Sequence, residues 1–118
     1  MNQESQNLIS KTCVACEGGI PPLTKAQAEP YFKEISDWEV DEDFKQIKKT
    51  FKFPDFKESV QAVDQVAELA EEEGHHPDIA INYNKVTFSL STHAIGGLSL
   101  NDFILAAKID GIITPKAQ

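Results

Sequence analysis

Three imidazoles and two carboxylates are the side chains of this sequence best suited to moving protons: His75, His76, His93, Glu71 and Asp102. All lie in one stretch, EEEGHHPDIAINYNKVTFSLSTHAIGGLSLND, which runs from Glu71 to Asp102 and contains every histidine of the chain. Imidazole is the side chain that both gives and takes a proton near neutral pH. A carboxylate beside it favours its charged form, which suits a general acid or a proton shuttle. Ser89, Ser91 and Thr92 add hydroxyls just before His93. Pro77 pushes His76 toward extended backbone, so His75 and His76 project in different directions. Three readings compete for the cluster. It could be an acid/base site for a small polar substrate. The imidazoles could bind zinc or another divalent metal, although adjacent histidines diverge and lack the i, i+4 spacing of ligands on one helix face. The histidines could also be structural or merely exposed. No Gly-rich phosphate loop, nucleophile elbow or Cys-His arrangement offers rival chemistry.

Two strands and two helices have to bring these residues together. Asp55, with Glu58 three residues on, reads as the capped start of a helix over 56–73. Phe56, Val60, Val63, Ala67 and Ala70 recur along it at helical spacing, and Gly74 supplies the left-handed cap. Its last turn, Glu71-Glu72-Glu73, sets negative charge where the helix dipole is already negative. That costs a few tenths of a kcal/mol per exposed residue (order of magnitude) unless a cation such as His75 or His76 answers it. From Ile79 to Ser91 come two alternating runs joined at Asn84-Lys85, where Asn84 suits the positive φ of a tight turn. That loop pairs Tyr83 with Val86 and Ile79 with Leu90, and puts His76 opposite His93 at about 5 Å between Cβ atoms. Ser99 with Asp102 forms a capping box for a last helix over about 100–109. Leu100, Phe103, Ile104, Leu105, Ala106, Ala107 and Ile109 leave that helix apolar nearly all round. Such a helix is expected to pack on the sheet with one side and on another subunit with the other.

Upstream, Thr24 and Gln27 make a capping box for a helix that Pro30 should bend or delay. Trp38-Glu39-Val40 and Phe44–Phe53 read as a hairpin around the turn Asp41-Glu42-Asp43, with Ile47, Phe51 and Phe53 on the buried parity. Lys45, Lys48, Lys49 and Lys52 are expected on the solvated face. The element order is therefore α-β-β-α-β-β-α. The predicted fold is α+β, a four-stranded antiparallel sheet with three helices packed on one face. Residues 1–22 are expected to be a flexible N-terminal arm, 23–113 a single domain and 114–118 a tail.

The chain has 118 residues, 41% of them hydrophobic, enough for one domain with a sizeable core. Nineteen acidic against 11 basic residues give a net charge of −8. That balance argues against nucleic acid or an anionic membrane as a partner. The absence of a long apolar run and of a secretory start predicts a cytoplasmic protein. The two cysteines, Cys13 and Cys16 in CVAC, could be redox-active or half of a zinc site, even one shared between subunits. No second CxxC follows and no strand-to-helix setting surrounds them, which favours plain reduced thiols.

The pattern Glu71, His75-His76-Pro77, Tyr83, Ser91-Thr92-His93, Gly97-Leu98-Ser99 and Asp102 closely resembles the pterin-4a-carbinolamine dehydratases. The likeness extends more loosely back to Trp38 and the FKF strand, and CVACEGGIPPLT looks like the leader of bacterial-type members. The resemblance implies dehydration of a 4a-hydroxytetrahydropterin to quinonoid dihydropterin and water, in tetrahydrobiopterin recycling, with no metal or organic cofactor. It makes His75 and His93 the general acid/base pair. It gives His76 to pterin binding, Asp102 to orienting a histidine and Glu71 to the electrostatics. Trp38, Ser91 and Thr92 would line the substrate. Gly74 and Asn101 depart from animal members, which carry an acidic and a basic residue there. The family's dimers and tetramers imply a homo-oligomer, functionally coupled to an aromatic amino acid hydroxylase. The family also resembles binding proteins, a transcriptional coactivator and RuBisCO assembly chaperones. That leaves a non-catalytic module as the alternative.

Overall fold

Alternating short segments and three capped helices, of which only the second is amphipathic, build the predicted α+β order. The computed structural model describes residues 8–11, 13 and 21–113. Helix α1 (Lys25–Phe32) is followed by strands β1 (Glu39–Val40) and β2 (Ile47–Lys52), then helix α2 (Phe56–Glu73). Strands β3 (Asp78–Asn82) and β4 (Lys85–Leu90) lead to helix α3 (Leu100–Ile112). The sheet is antiparallel in the order β1-β2-β4-β3. Cys16, the Gly18-Gly19 turn and the tail 114–118 lie outside the described residues.

Helix boundaries follow the caps. The Thr24/Gln27 and Ser99/Asp102 boxes both form, and Asp55 accepts the Glu58 amide at 2.9 Å. Pro30 falls in the last turn of α1, which ends two residues later. Gly74 closes α2 at φ 68°, a conformation that strains any residue bearing a Cβ. An acidic side chain there would therefore be strained.

One sheet face carries Ile47, Phe51, Val86, Phe88 and Leu90 into the core, where they meet α2 and α3. The other carries Lys48, Thr50, Lys52 and Lys85 outward. Lys49 corrects the expected division of the lysines. It lies on the core parity, and its ammonium reaches Asp110 of α3 at 2.7 Å and lies 4.5 Å from the Phe51 ring centroid. Helix α2 also corrects the expected apolar stripe. Its buried residues are Ser59, Ala62, Val66 and Ala70, while Phe56 and Ala67 are exposed. Small residues let α2 lie close to its neighbours, so bulk alone misplaced the face.

The β3–β4 register differs from the expected one by two residues. Ile79 pairs with Phe88 and Ile81 with Val86, so Tyr83-Asn84 is the loop, and the positive φ (57°) falls on Tyr83. Both registers keep the same side chains on the core face, so alternation cannot choose between them. Asn84 decides: its side-chain amide donates to the Phe53 carbonyl (3.1 Å) and its own carbonyl accepts from the Phe53 amide (2.8 Å). These bonds tie the turn to the end of β2.

Helix α3 is buried from Asn101 to Ala107 and again at Ile109. Most of its apolar circumference is covered by other described residues, with Ile112 left exposed. Phe103 takes Phe32 edge-on at 5.0 Å and Tyr31 at 5.6 Å from α1. The 3-10 turn Leu8–Ser10 covers another side, with Leu8 fully buried. The described part of the N-terminal arm is thus docked on α3.

Candidate active site

The site is built on one carboxylate. Asp102 sits at N3 of α3, fully buried, because the Ser99 capping box places it there. Its Oδ2 accepts the Ser99 amide (2.9 Å) and the Thr92 hydroxyl (2.8 Å). Thr92 has spent its only proton on Asp102, so the Ser99 hydroxyl donates to Thr92 Oγ1 across 2.8 Å. Ser99 Oγ accepts in turn from the Asn101 amide at 3.2 Å. The other oxygen, Oδ1, meets His75 Nε2 at 2.6 Å. A carboxylate that accepts on every side selects the Nε2–H tautomer of a neutral ring and leaves Nδ1 with the free lone pair. His75 is therefore oriented, its tautomer is assigned by the network, and its side chain is 12% exposed.

The backbone brings His75 to that position. The Gly74 and His75 amides both donate to the Ala70 carbonyl, so the chain leaves α2 in a fixed direction. His76 points elsewhere, as the following proline implies. Its Nε2 meets Glu71 Oε2 at 2.8 Å, with the two side chains 59% and 79% exposed. At least one of the three terminal glutamates thus has the imidazole partner expected of it.

His93 does not face His76 across a ladder. β4 ends at Leu90, and the chain then closes a tight loop in which the Thr92 amide donates to the Gly97 carbonyl (2.8 Å). His93 opens the 3-10 turn His93–Ile95 inside that loop, exposed and directly after Thr92. Its backbone therefore borders the Asp102 network, while its ring has no hydrogen-bond or ion-pair partner among the described residues. A Cβ on Gly97 would lie 2.7 Å from Pro22 Cβ, so Pro22 packs this closely against the loop only with glycine there.

Thr92 belongs to the network, whereas the Ser91 side chain takes no part in it. Trp38 is buried, and its indole N–H donates to Asp110 at 3.1 Å, about 12 Å further along α3 from Asp102. Four residues take contacts that the sequence does not reveal. Ser99, legible in the sequence only as a cap, also bonds the Thr92 hydroxyl. Glu73 Oε1 accepts the Cys13 amide (2.7 Å) and its Oε2 meets Lys108 Nζ (3.1 Å). Burial alone would raise the Glu73 carboxyl, but the Cys13 amide and the Lys108 ammonium outweigh it and hold the group below its ordinary value. No sequence signal links residues 13, 73 and 108, because only the tertiary fold makes them neighbours. Among the described residues, no group of three or more His, Cys, Asp or Glu side chains could hold a metal ion. An open groove of about 510 Å³ between α1 and the β1–β2 turn, lined by Lys25, Phe32, Val40 and Phe44 among others, contains none of the predicted site residues.

Fold and site together define an α+β domain with a buried carboxylate–histidine pair at the junction of two helices. Residues 21–112 match the family model described as pterin 4 alpha carbinolamine dehydratase, and the chain belongs to that family. A protein of Halorhodospira halophila provisionally named pterin-4-alpha-carbinolamine dehydratase is 43% identical over 106 residues, 90% of this chain and 97% of its own. One from Methylococcus capsulatus with the same provisional name is 44% identical over 104 residues, 88% of this chain and 91% of its own. Among solved structures, a transcriptional coactivator/pterin dehydratase from Brucella melitensis superposes with a TM-score of 0.74 at 29% identity. It covers 79% of this chain and 99% of its own. A pterin dehydratase-like RuBisCO assembly factor of the alpha-carboxysome shares the fold, with a TM-score of 0.57 at 24% identity over 66% of this chain and 90% of its own. No helix among the described residues is long and apolar enough to cross a membrane.

Proposed function

We propose that this chain dehydrates a 4a-hydroxytetrahydropterin by histidine acid/base catalysis, as a step in tetrahydrobiopterin recycling. The reaction breaks the C4a–OH bond, releases water and forms the C4a=N5 double bond as N5–H is lost. One proton is delivered to the hydroxyl and one is taken from N5, so the step needs no redox partner. The observation that carries this reading is His75 held on buried Asp102 at 2.6 Å, with one ring nitrogen left for substrate. Asp102 would fix the ring and stabilise it when it carries two protons. His75 would then donate through Nδ1 to the departing hydroxyl. His93, exposed and without a side-chain partner among the described residues, is the second proton-transfer group beside the same network. His76 and Ser91 have side chains to offer a pterin, Thr92 is committed to Asp102, and Glu71 is bonded to His76. Trp38 would contribute only a buried ring.

The non-catalytic alternative draws on the coactivator half of the Brucella melitensis protein's description. Capping α3 accounts for the Ser99 and Thr92 bonds to Asp102 under either reading, whereas only the enzyme reading uses the imidazole held on its other oxygen. Spectrophotometric turnover of 4a-hydroxytetrahydropterin generated by a hydroxylase tests the proposal. The chain is expected to exceed the uncatalysed rate, and His93→Ala to lower kcat by about 10²-fold. A folded parent that adds nothing to the uncatalysed rate ends this reading.

A further inference from the structure

The N-terminal segment plays no part in the chemistry above, yet it touches both histidine-bearing segments. Leu8 is fully buried and its amide donates to Glu34 Oε1 at 2.9 Å. Ile9 lies over Gly111 near the far end of α3. Cys13 then sits at the near end. Its amide donates to Glu73 Oε1 at 2.7 Å, and its thiol donates to the Asn101 carbonyl at 3.6 Å. Glu73 is the last residue of α2, two before His75, and Asn101 immediately precedes Asp102. Cys13 therefore bridges the seam across which His75 and Asp102 bond. Lys108 closes the same seam from α3, paired with Glu73 at 3.1 Å with side chains only 17% and 8% exposed. Further on, the Leu23 amide donates to the Leu98 carbonyl at 2.8 Å and Pro22 fills the space beside Gly97, behind the His93 turn.

The thiol itself is not poised for reaction. Burial first, then the charges of Glu73 and Asp102, push it up to about 12. At neutral pH it is a protonated donor, not a thiolate.

We propose that Cys13, Glu73 and Lys108 form a clasp that sets the α2–α3 seam and so fixes the geometry of His75 on Asp102. These are positioning residues. Their effect on turnover rests on the dehydratase reading, while their effect on the His75 ring does not. Glu73→Gln keeps an acceptor for the Cys13 amide but gives up the charge pair. Lys108→Met removes the cation, and Lys108→Arg restores it. The full-length chain labelled with ¹⁵N-histidine reports the His75 ring resonances by NMR, and steady-state kinetics separate kcat from KM. Glu73→Gln and Lys108→Met are expected to shift the His75 Nε2 resonance and lower kcat about tenfold, with KM within about twofold, and Lys108→Arg to recover both. If Glu73→Gln fails to fold, Lys108→Met decides. Parental ring resonances and kcat in a folded Lys108→Met chain, with only its melting temperature lowered, would overturn the clasp. If the parent does not dehydrate, the dehydratase reading falls, and the ring resonance alone decides the clasp.

Discussion

Two histidine–carboxylate pairs lie next to one another in sequence and differ in length by little, 2.6 Å for His75–Asp102 and 2.8 Å for His76–Glu71. Their surroundings differ far more. Asp102 is fully buried and bonded to Thr92 and Ser99 as well, whereas Glu71 and His76 are mostly in water. In water such a pair is worth about 0–1 kcal/mol and is screened by salt. Inside the protein, removing one partner leaves the others unanswered and costs several-fold more. Distance alone therefore does not distinguish a positioned imidazole from an incidental contact; the number of other donors on the carboxylate does.

Asp102→Ala should break this comparison hardest. Thr92, His75 and the Ser99 amide all lose an acceptor, and stability measured by urea unfolding should fall by about 3–5 kcal/mol. A loss of about 1 kcal/mol or less would mean that the network carries little. The neighbouring glutamates sharpen the point. Glu73 is partly buried and held below its ordinary value, Glu71 is exposed. A carboxyl lowered in the fold adds stability above its unfolded value of about 4.3, and that stability is lost as pH falls through the folded value. Melting temperature followed from pH 7 to pH 3 should therefore drop more steeply below about pH 4.5 in the parent than in Glu73→Gln. Superimposable curves would remove Glu73 from the acid sensitivity. The smallest effect belongs to Glu71→Gln, expected to change stability by under about 1 kcal/mol. A larger loss would show that exposure misjudges this pair.

Local signals carried much of the fold. The Asp55 cap and Gly74 bounded α2 at 56–73, and the Ser99/Asp102 box placed Asp102 at the start of α3. Both faces of the β3–β4 hairpin followed from alternation, but its register did not, because a two-residue slip preserves the pattern. Asn84's bonds to Phe53, more than thirty residues away in sequence, made that choice. The same limit hid the docking of Leu8 in a polar leader, the Lys49–Asp110 pair and the Glu73–Lys108 pair. At the site, His75, His76, Glu71 and Asp102 were legible as candidates. Which histidine takes which carboxylate was not, since that depends on the angle at which α2 meets α3.

Turnover of 4a-hydroxytetrahydropterin by His75→Ala and His76→Ala, side by side, tests the central claim most directly. Loss of the imidazole held on Asp102 should lower kcat by about 10²–10⁴-fold, while loss of its exposed neighbour should mainly raise KM. Parental kcat in a folded His75→Ala chain, or equal losses in the two variants, would contradict it.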